Sequence, residues 1–555
     1  MLKRLFKVLT PGSIDRAKSA EIAEIDPEES GMRLQAGVDL HRTGRFSEAE
    51  RIYQSILEKS PRDPNALHLL SIIQSKNGSF DRAEELARLA LAANPGVPEY
   101  LNTLASILSE KGLPEEAVVL LRHALQISPD ARRPRSNLLF LLNLLPGLDR
   151  RELFQEHLEW ARIHAPCPEI ASPGLTQFET GSNPRLDRRL RIGYVSADLR
   201  AHPVGRILGS VLPIHDRNSF EVVCYDNTRE PDALNQELRA HAQAWREIHG
   251  MEDDRVAELI VRDEIDVLVD LSGHTHGNRL AVFAKRPAPV QATWLGYLNT
   301  SGMAQMDWRM TCRLADPEPF ASETHSERIW YLPDCIWPWR PAPEWSAPGR
   351  IDAPADGKQG GVVFGSFNTF RKINSEVILA WARILARIPD SRLKLFGVPR
   401  GVTIDRIEDL FEAQGVSGER VELLGLVGHD AYDRAYSGVD IALDPFPYSG
   451  GATTCECLWM GVPVVTLAGQ GGFSRTSASL LNALGLEDLV VNDAANYVEM
   501  AVALARDRQQ LEIYHRTLRD CMKASVLMDE NRFVTNLEAA YLGMVSDKER
   551  REAGR

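Results

Sequence analysis

A histidine–proline pair follows the first β-type run of the sequence and precedes an apolar helical segment. His202 and Pro203 stand between the run Leu190–Ser196 and the segment that begins at Ile207. Proline suits the first helical position, which places His202 near the N-cap of that helix. A neutral imidazole there can accept the proton of a hydroxyl group. A capping histidine without a catalytic role fits the same position, and the local sequence does not separate the two interpretations.

Two basic residues precede another predicted helix. Arg371 and Lys372 stand between a β-type run at 362–367 and an amphipathic segment at 376–388. Positive charge at a helix N-terminus opposes the helix dipole. An anion bound between the two cations would offset this unfavourable interaction, which favours an anion-binding site. A solvated basic turn is the alternative.

A glycine pair precedes a third predicted helix. Gly450 and Gly451 are followed by Thr453 and Thr454, and a turn of this kind exposes backbone N–H groups to a phosphate. The residues form neither a Walker loop nor a GxGxxG motif, which disfavours a simple ATPase and a dinucleotide enzyme. Glu456, just inside the helix, is placed to accept hydrogen bonds from a ribose.

Three further turns could line the same site. The glycine-rich loop at 469–475 is a second phosphate candidate. His274 and His276 form a His-x-His pair, but no acidic or cysteine ligand stands at the spacing of a metal site, so we expect them to line a cleft. Gly296 and Tyr297 follow a run at 290–295, where glycine allows a backbone to approach a ligand and a tight turn is the alternative.

Short β-type runs alternate with helical segments in two blocks that position these turns. A Pro/Gly/Ala-rich break at 341–361 separates the blocks. Such alternation predicts doubly wound parallel sheets, whose ligands bind beyond the carboxyl ends of the strands. We expect two Rossmann-like lobes that face a cleft. The predicted strands are 190–196, 220–225, 265–271, 290–295, 310–314, 362–367, 393–398, 421–424, 441–443 and 462–467.

Three landmarks recur every 34 residues in the N-terminal part. They are Gly44, Gly78 and Gly112, then Ala49, Ala83 and Ala117, then Pro61, Pro95 and Pro129. The alanine lets two helices approach closely, and the proline cannot continue a helix. This order and period resemble the tetratricopeptide repeat. Stacked repeats normally present a groove to a peptide or protein, and a rigid spacer without a ligand is the alternative.

Composition limits the functional classes. The net charge of −13, from 64 Lys and Arg against 77 Asp and Glu, disfavours a broad nucleic-acid-binding surface. Seven cysteines without a paired CxxC framework are typical of free thiols in a reducing compartment. The most apolar stretch, at 138–145, is far shorter than the roughly 20 residues of a membrane span, and the basic opening segment lacks a signal-peptide core. We expect a cytoplasmic protein that binds neither nucleic acid nor membrane.

Together these features resemble the O-GlcNAc transferase family. The resemblance covers residues 31–545 and rests on the repeats, on HP after the first strand, and on the segments RPAPVQATWLGYLNTSG, FNTFRK and DPFPYSGGATTCECLWMGVPVVTL. It implies a multidomain chain in which an all-α tetratricopeptide superhelix precedes an α/β glycosyltransferase B fold. It also implies inverting transfer of N-acetylglucosamine from UDP-GlcNAc to Ser or Thr hydroxyls of intracellular proteins, with no metal and no other cofactor. The repeat groove would bind the protein or peptide acceptors.

The resemblance assigns roles to individual residues. His202 would be the base or the group that positions the acceptor, and Lys372 would bind the diphosphate. The implied nucleotide-sugar-binding residues are Gly296, Tyr297, Thr369, Val427, His429, Tyr432, Gly450, Gly451, Thr453, Thr454 and Glu456.

Four positions depart from the family pattern. Glu456 replaces an aspartate at the ribose, Thr369 a glutamine, His429 a lysine and Tyr432 a uracil-stacking histidine, although a tyrosine ring can also stack on a base. Two alternatives therefore stay open. One is an O-fucosyltransferase that uses GDP-fucose, and the other is a repeat scaffold with a vestigial nucleotide-sugar site.

The same patterns predict the division of the chain. We expect an N-terminal leader at 1–30, repeats at 31–165, a linker at 166–189, an N-terminal catalytic lobe at 190–345, a nucleotide-sugar-binding lobe at 346–545 and a tail at 546–555.

Overall fold

The computed structural model describes residues 27–166, 188–342, 361–425, 435–436 and 438–554. The chain divides into two compact units. One comprises Met1–Leu141 with Pro399–Arg406, and the other comprises Leu142–Val398 with Ile407–Arg555. Among the described residues, no helix is both long enough and apolar enough to cross a bilayer.

The first unit is built from helices joined by tight turns. Gly44, Gly78 and Gly112 lie in these turns with φ between 70° and 79°, a conformation that glycine adopts at little cost. The alanine five residues after each glycine is fully buried. The helix–glycine–helix repeat predicted from the sequence is therefore present. Helices α1–α7 span Pro27–Arg42, Phe46–Lys59, Pro64–Lys76, Phe80–Ala93, Pro98–Glu110, Pro114–Ile127 and Arg132–Leu142.

Two parallel sheets form the core of the second unit, as the strand–helix alternation predicts. The first has seven strands in the order β3-β2-β1-β4-β5-β6-β7, and the second has six in the order β10-β9-β8-β11-β12-β13. The first-sheet strands β1–β7 span Leu190–Ser196, Phe220–Asp226, Ala244–Glu247, Val267–Asp270, Val290–Thr293, Trp308–Thr311 and Arg328–Tyr331. The second-sheet strands β8–β13 span Val363–Ser366, Arg392–Leu395, Val421–Leu423, Ile441–Leu443, Val464–Leu467 and Val490–Val491.

Helices cover both sheets. The last of them includes residues 546–553, which the sequence assigned to a tail. Helices α8–α13 span Arg150–His164, Pro203–Val211, Ala233–His241, Asp253–Arg262, Leu280–Ala284 and Phe320–Thr324. Helices α14–α20 span Ser375–Arg387, Val402–Glu412, Ala452–Trp459, Gly472–Ala483, Ala494–Arg506, Arg508–Ala524 and Glu530–Ala553.

A buried hydrogen-bond chain ties helix α8 to the first lobe. The Tyr297 hydroxyl lies 2.9 Å from Asn143 Nδ2 and 2.8 Å from His157 Nε2. His157 Nδ1 lies 2.7 Å from the Leu153 carbonyl, which can only accept, so Nδ1 carries the proton. Tyr297 therefore donates to Nε2 and accepts from Asn143. These bonds explain why residues 142–165, which the sequence placed with the repeats, group with the lobes.

Candidate functional site

Lys372 lies at the carboxyl end of the second sheet, in a short 3-10 turn after β8. Its Nζ donates to the Ser449 carbonyl at 2.7 Å and to Asn368 Oδ1 at 3.2 Å. The N-terminus of α14, which the sequence predicted to share an anion with this lysine, is capped instead by the Asn374 side chain. The expected reason for an anion was therefore wrong in detail, because Lys372 points toward the turn before α16.

Burial determines the protonation of Lys372. It lowers the pKa of this amine to about 8, the Asp444 carboxylate partly opposes that shift, and the Arg371 charge adds to it. The Lys372 ammonium also lies 4.7 Å from the centre of the Tyr448 ring. A partly desolvated cation on a cleft wall is suited to an anionic ligand, since the ligand restores the solvation that burial removed.

The glycine turn before α16 is adjacent to this lysine. A Cβ at Gly450 would lie 2.4 Å from Thr454 Oγ1, so only glycine fits there. The Gly450 amide donates to Asp444 Oδ1 at 2.8 Å, and the Thr454 amide donates to the Gly451 carbonyl at 3.0 Å. The Thr454 amide is therefore engaged within the turn, and its contact with a phosphate stays a prediction. The N-terminus of α16 lies beside Lys372, because Thr453 in its first turn shares Asn368 Oδ1 with Lys372 Nζ.

The threonine side chains of α16 differ in their surroundings. Thr454 is 2% exposed, and its hydroxyl bonds Ser477 Oγ at 2.7 Å. Thr453 Oγ1 donates to Asn368 Oδ1 at 3.2 Å. Lys372 Nζ donates to the same oxygen. Thr453 therefore belongs to the lysine site, whereas Thr454 supports the turn from behind. Thr369 is exposed, and its carbonyl accepts the Lys372 amide at 3.0 Å.

Glu456 lies in the second turn of α16. The Tyr436 hydroxyl donates to its Oε2 at 3.0 Å. Burial raises the pKa of Glu456, and the positive charge of Arg206 on helix α9 of the first lobe opposes that shift. An acid between a phenol and an arginine can accept further hydrogen bonds, and its contact with a ribose stays a prediction.

His202 caps helix α9 in the first lobe and lies close enough to the second lobe to be affected by the charge of Arg371. Its Nδ1 accepts the Val204 amide at 3.3 Å and lies 3.9 Å from Asp198 Oδ2. Burial and the nearby charges of Arg200 and Arg371 lower the pKa of His202, while Asp198 opposes the shift. The ring is therefore neutral at pH 7. Because Nδ1 accepts, the proton of the neutral ring is on Nε2.

Packing against the neighbouring backbone is enough to explain why position 296 is a glycine. A Cβ at this position would lie 1.9 Å from the carbonyl oxygen of Leu271. Tyr297 is 2% exposed, and its hydroxyl is engaged by helix α8 as described above. The structure thus accounts for both residues through packing, and their contact with a sugar stays a prediction.

Two expectations about other turns were wrong. His274 does not line the cleft, because it is 1% exposed and its ring packs 4.8 Å from Trp160 of helix α8. The loop at 469–475 is not a free phosphate site either. The N-terminus of α17 already holds the Asp316 carboxylate, which accepts the Gly472 amide at 2.9 Å.

Val427, His429 and Tyr432 lie outside the described residues. In the described part of the chain, no group of three or more His, Cys, Asp or Glu side chains is placed to hold a metal ion.

Several site residues were missed by sequence reasoning. They are Asn368, Asp444, Tyr436, Tyr448, Ser449 and Arg206. Position after a strand signals two of them, since Asn368 follows β8 and Asp444 follows β11. The others depend on contacts between distant segments that no local pattern reveals.

Comparisons with known proteins match this architecture. The sequence model described as Glycosyl transferase family 41 matches residues 175–337 and 355–537, and tetratricopeptide repeat models match residues 40–107 and 99–128. A solved structure of a mutant O-GlcNAc transferase from Thermobaculum terrenum superimposes with a TM-score of 0.86 at 36% identity, covering 96% of this chain and 100% of that one.

The curated relatives include two plant proteins described as follows. The tomato (Solanum lycopersicum) protein named probable UDP-N-acetylglucosamine–peptide N-acetylglucosaminyltransferase SPINDLY is 38% identical over 75% of this chain and 44% of its own length. The Arabidopsis thaliana protein named probable UDP-N-acetylglucosamine–peptide N-acetylglucosaminyltransferase SEC is 32% identical over 70% of this chain and 41% of its own length. The chain thus spans less than half of each of these relatives.

Proposed function

Because the chain belongs to glycosyl transferase family 41, we propose that it transfers N-acetylglucosamine from UDP-GlcNAc to Ser or Thr hydroxyls of proteins. The observation that carries this proposal is the convergence of the Lys372 ammonium, the Thr453 hydroxyl and the N-terminus of α16 at one wall of the cleft. These are the groups that a leaving nucleoside diphosphate needs. The names of the relatives support UDP-GlcNAc as the donor.

The leaving group determines what the protein must supply. Transfer with inversion forms a bond between the acceptor oxygen and the anomeric carbon while the bond from that carbon to the β-phosphate oxygen breaks. The electron pair stays on UDP, the hydroxyl proton of the acceptor passes to solvent, and negative charge grows on the β-phosphate as the bond breaks. Lys372 and the dipole of α16 oppose this charge, and they perform the task that a divalent metal performs in other transferases. We propose on this ground that the reaction is metal-independent.

His202 acts on the acceptor side. In the capped arrangement its Nε2 carries a proton and can donate to an acceptor oxygen, but it cannot take the hydroxyl proton. Proton acceptance at Nε2 would require the ring proton to move to Nδ1, where Asp198 lies within 3.9 Å and the Val204 cap would be lost. We therefore assign His202 the positioning role, in which it orients the acceptor hydroxyl.

Protein acceptors are proposed to bind the tetratricopeptide repeats of the first unit. The proposal rests on the repeat matches and on the word peptide in the names of the plant relatives. Deleting residues 1–129 should suppress protein glycosylation much more than UDP binding, provided that circular dichroism shows the remaining chain to be folded. Equal modification of lysate proteins by the truncated and full chains would contradict recruitment by the repeats.

A donor panel tests the choice of nucleotide sugar. Thermal shifts with UDP, UDP-GlcNAc, GDP and GDP-fucose compare the ligands directly, because a ligand that binds only the folded state raises its stability. We expect the uridine ligands to raise the melting temperature most, and radiolabelled UDP-GlcNAc to label lysate proteins. A larger shift with GDP-fucose, together with fucose transfer, would replace this donor. Binding without transfer would favour a non-catalytic scaffold.

A further inference from the structure

The side chain of Asn368 lies between the lysine site and a buried carboxylate. Its Oδ1 accepts from Lys372 Nζ and from Thr453 Oγ1, both at 3.2 Å, and its Nδ2 lies 3.4 Å from Asp444 Oδ1. An ammonium can only donate and a carboxylate can only accept, so the two ends of the amide are fixed in this orientation. Asparagine is suited to this place because it offers an acceptor on one side and a donor on the other.

Asp444 is buried, and both of its carboxylate oxygens accept hydrogen bonds. It is 1% exposed. Its Oδ2 accepts the Thr466 hydroxyl at 2.7 Å, and its Oδ1 accepts the Gly450 amide at 2.8 Å. The same carboxylate therefore anchors both Asn368 and the glycine turn that leads into α16.

The Asn368 side chain keeps the Asp444 carboxylate away from the Lys372 ammonium. A carboxylate in direct contact with Lys372 would compete with a phosphate for the ammonium. Here the ammonium donates to two uncharged oxygens, those of Asn368 and Ser449, and an ammonium has three donors. Asp444 still attracts the positive charge from behind the amide. The lysine thus stays charged and keeps a donor for the ligand.

We propose that Asn368 and Asp444 are positioning residues that hold the Lys372 ammonium and the Thr453 hydroxyl in the arrangement that receives the diphosphate of the donor. The inference rests on the proposed function of this site. Neither residue has to touch the donor, since both act through groups that do.

Two variants separate positioning from a merely structural role. Asn368→Ala removes the shared acceptor and should lower single-turnover transfer at saturating UDP-GlcNAc by about 10- to 100-fold, the effect of one hydrogen bond to a charged group. UDP affinity should fall by a smaller factor, because the attraction between Lys372 and the diphosphate strengthens as charge grows on the leaving group. Asp444→Asn should shift the descending limb of the kcat/KM profile for donor to lower pH, since the carboxylate opposes deprotonation of Lys372.

Asn374→Ala is the matched control. Asn374 is also a buried asparagine of this segment, and it caps α14 and donates to the Phe446 carbonyl at 2.7 Å. Its loss should lower stability without lowering transfer comparably. If Asp444→Asn does not fold, the ratio of turnover between Asn368→Ala and Asn374→Ala decides the question.

A measurement without donor keeps this inference separate from the proposed function. Reductive ¹³C-methylation reports the titration of Lys372 by NMR in the free protein, with the signal identified by its loss in Lys372→Arg. We expect this titration at lower pH in Asp444→Asn than in the parent, whether or not the parent transfers GlcNAc. An unchanged titration in Asp444→Asn, or turnover in Asn368→Ala equal to that in Asn374→Ala, would overturn the positioning role. Absence of transfer by the parent would instead overturn the proposed function.

Discussion

Replacing Lys372 with methionine removes the ammonium from the proposed diphosphate site and keeps most of the side-chain volume. Burial lowers the pKa of this amine from 10.5 to about 8. At about 1.4 kcal/mol per pKa unit, the surroundings of Lys372 in the free protein disfavour the charged form by about 3.5 kcal/mol relative to water. A diphosphate that gains negative charge returns an attraction of similar size, since unit charges about 4 Å apart at an effective dielectric constant of about 20 interact by about 4 kcal/mol.

This magnitude predicts a loss of about 10²- to 10³-fold in turnover for Lys372→Met, as for removal of one oxyanion donor. The assay is single-turnover transfer from radiolabelled UDP-GlcNAc at saturating donor, with donor affinity measured by calorimetry. Lys394→Met is the control, because Lys394 lies in the same lobe and pairs with Glu422 at 3.8 Å instead of facing the site. Near-normal turnover in Lys372→Met would refute the assignment. A defect confined to binding would make Lys372 an anchor only.

The pH profile tests the same reasoning independently. The charged amine is the active form, so kcat/KM for the donor should fall as pH rises through about 8, the pKa of Lys372 in the free protein. An arginine stays charged across this range, so any residual activity of Lys372→Arg should lack this limb. A limb that persists in Lys372→Arg would belong to another group.

Three further changes test other parts of the account. His202 caps helix α9, so His202→Ala should lose about 1 kcal/mol of stability, whereas His202→Asn keeps a capping side chain and should not. Both variants should lose turnover, because neither can orient the acceptor as the imidazole does. Full activity in His202→Asn would show that the residue is only a helix cap. Gly296→Ala should lower the free energy of unfolding in urea by about 3 kcal/mol through backbone overlap, whereas Gly209→Ala, whose Cβ would meet only Leu238 at 3.5 Å, should not. The buried rings of His157 and His274 have pKa values lowered to about 3, below 6.5 in the unfolded chain, so the unfolded state binds more protons between these values. Stability should therefore fall below pH 6.5 by up to about 1.4 kcal/mol per pH unit for each histidine, and an unfolding free energy that is flat from pH 7 to 5 would contradict their burial as neutral rings.

The central strands of both sheets and the edge strand β10 could be predicted from the sequence, whereas the other three edge strands could not. Apolar runs identified β1 and β11 with their observed bounds, and they located the other central strands within a few residues. The missed strands β3, β7 and β13 lie at sheet edges, and β13 has only two residues. An edge strand is paired on one side only, so it needs neither length nor a continuous apolar run.

Site residues could be predicted where they stand together in one short segment after a strand. Lys372 and the turn at Gly450 follow strand ends, and the structure places them together as expected. Tyr297 shows the limit of this reasoning. Its phenol pairs with side chains 140 and 154 residues away, and a local motif does not show which distant segment packs against it.

The most direct test of the account is mass spectrometry of a Ser- or Thr-containing protein acceptor after incubation with UDP-GlcNAc and EDTA. The parent enzyme should add N-acetylglucosamine to a hydroxyl side chain in stoichiometric exchange for released UDP, and Lys372→Met should do so at least about 10²-fold more slowly. Release of UDP without modified acceptor, modification only after a divalent metal is restored, or modification by fucose from GDP-fucose alone would contradict the account.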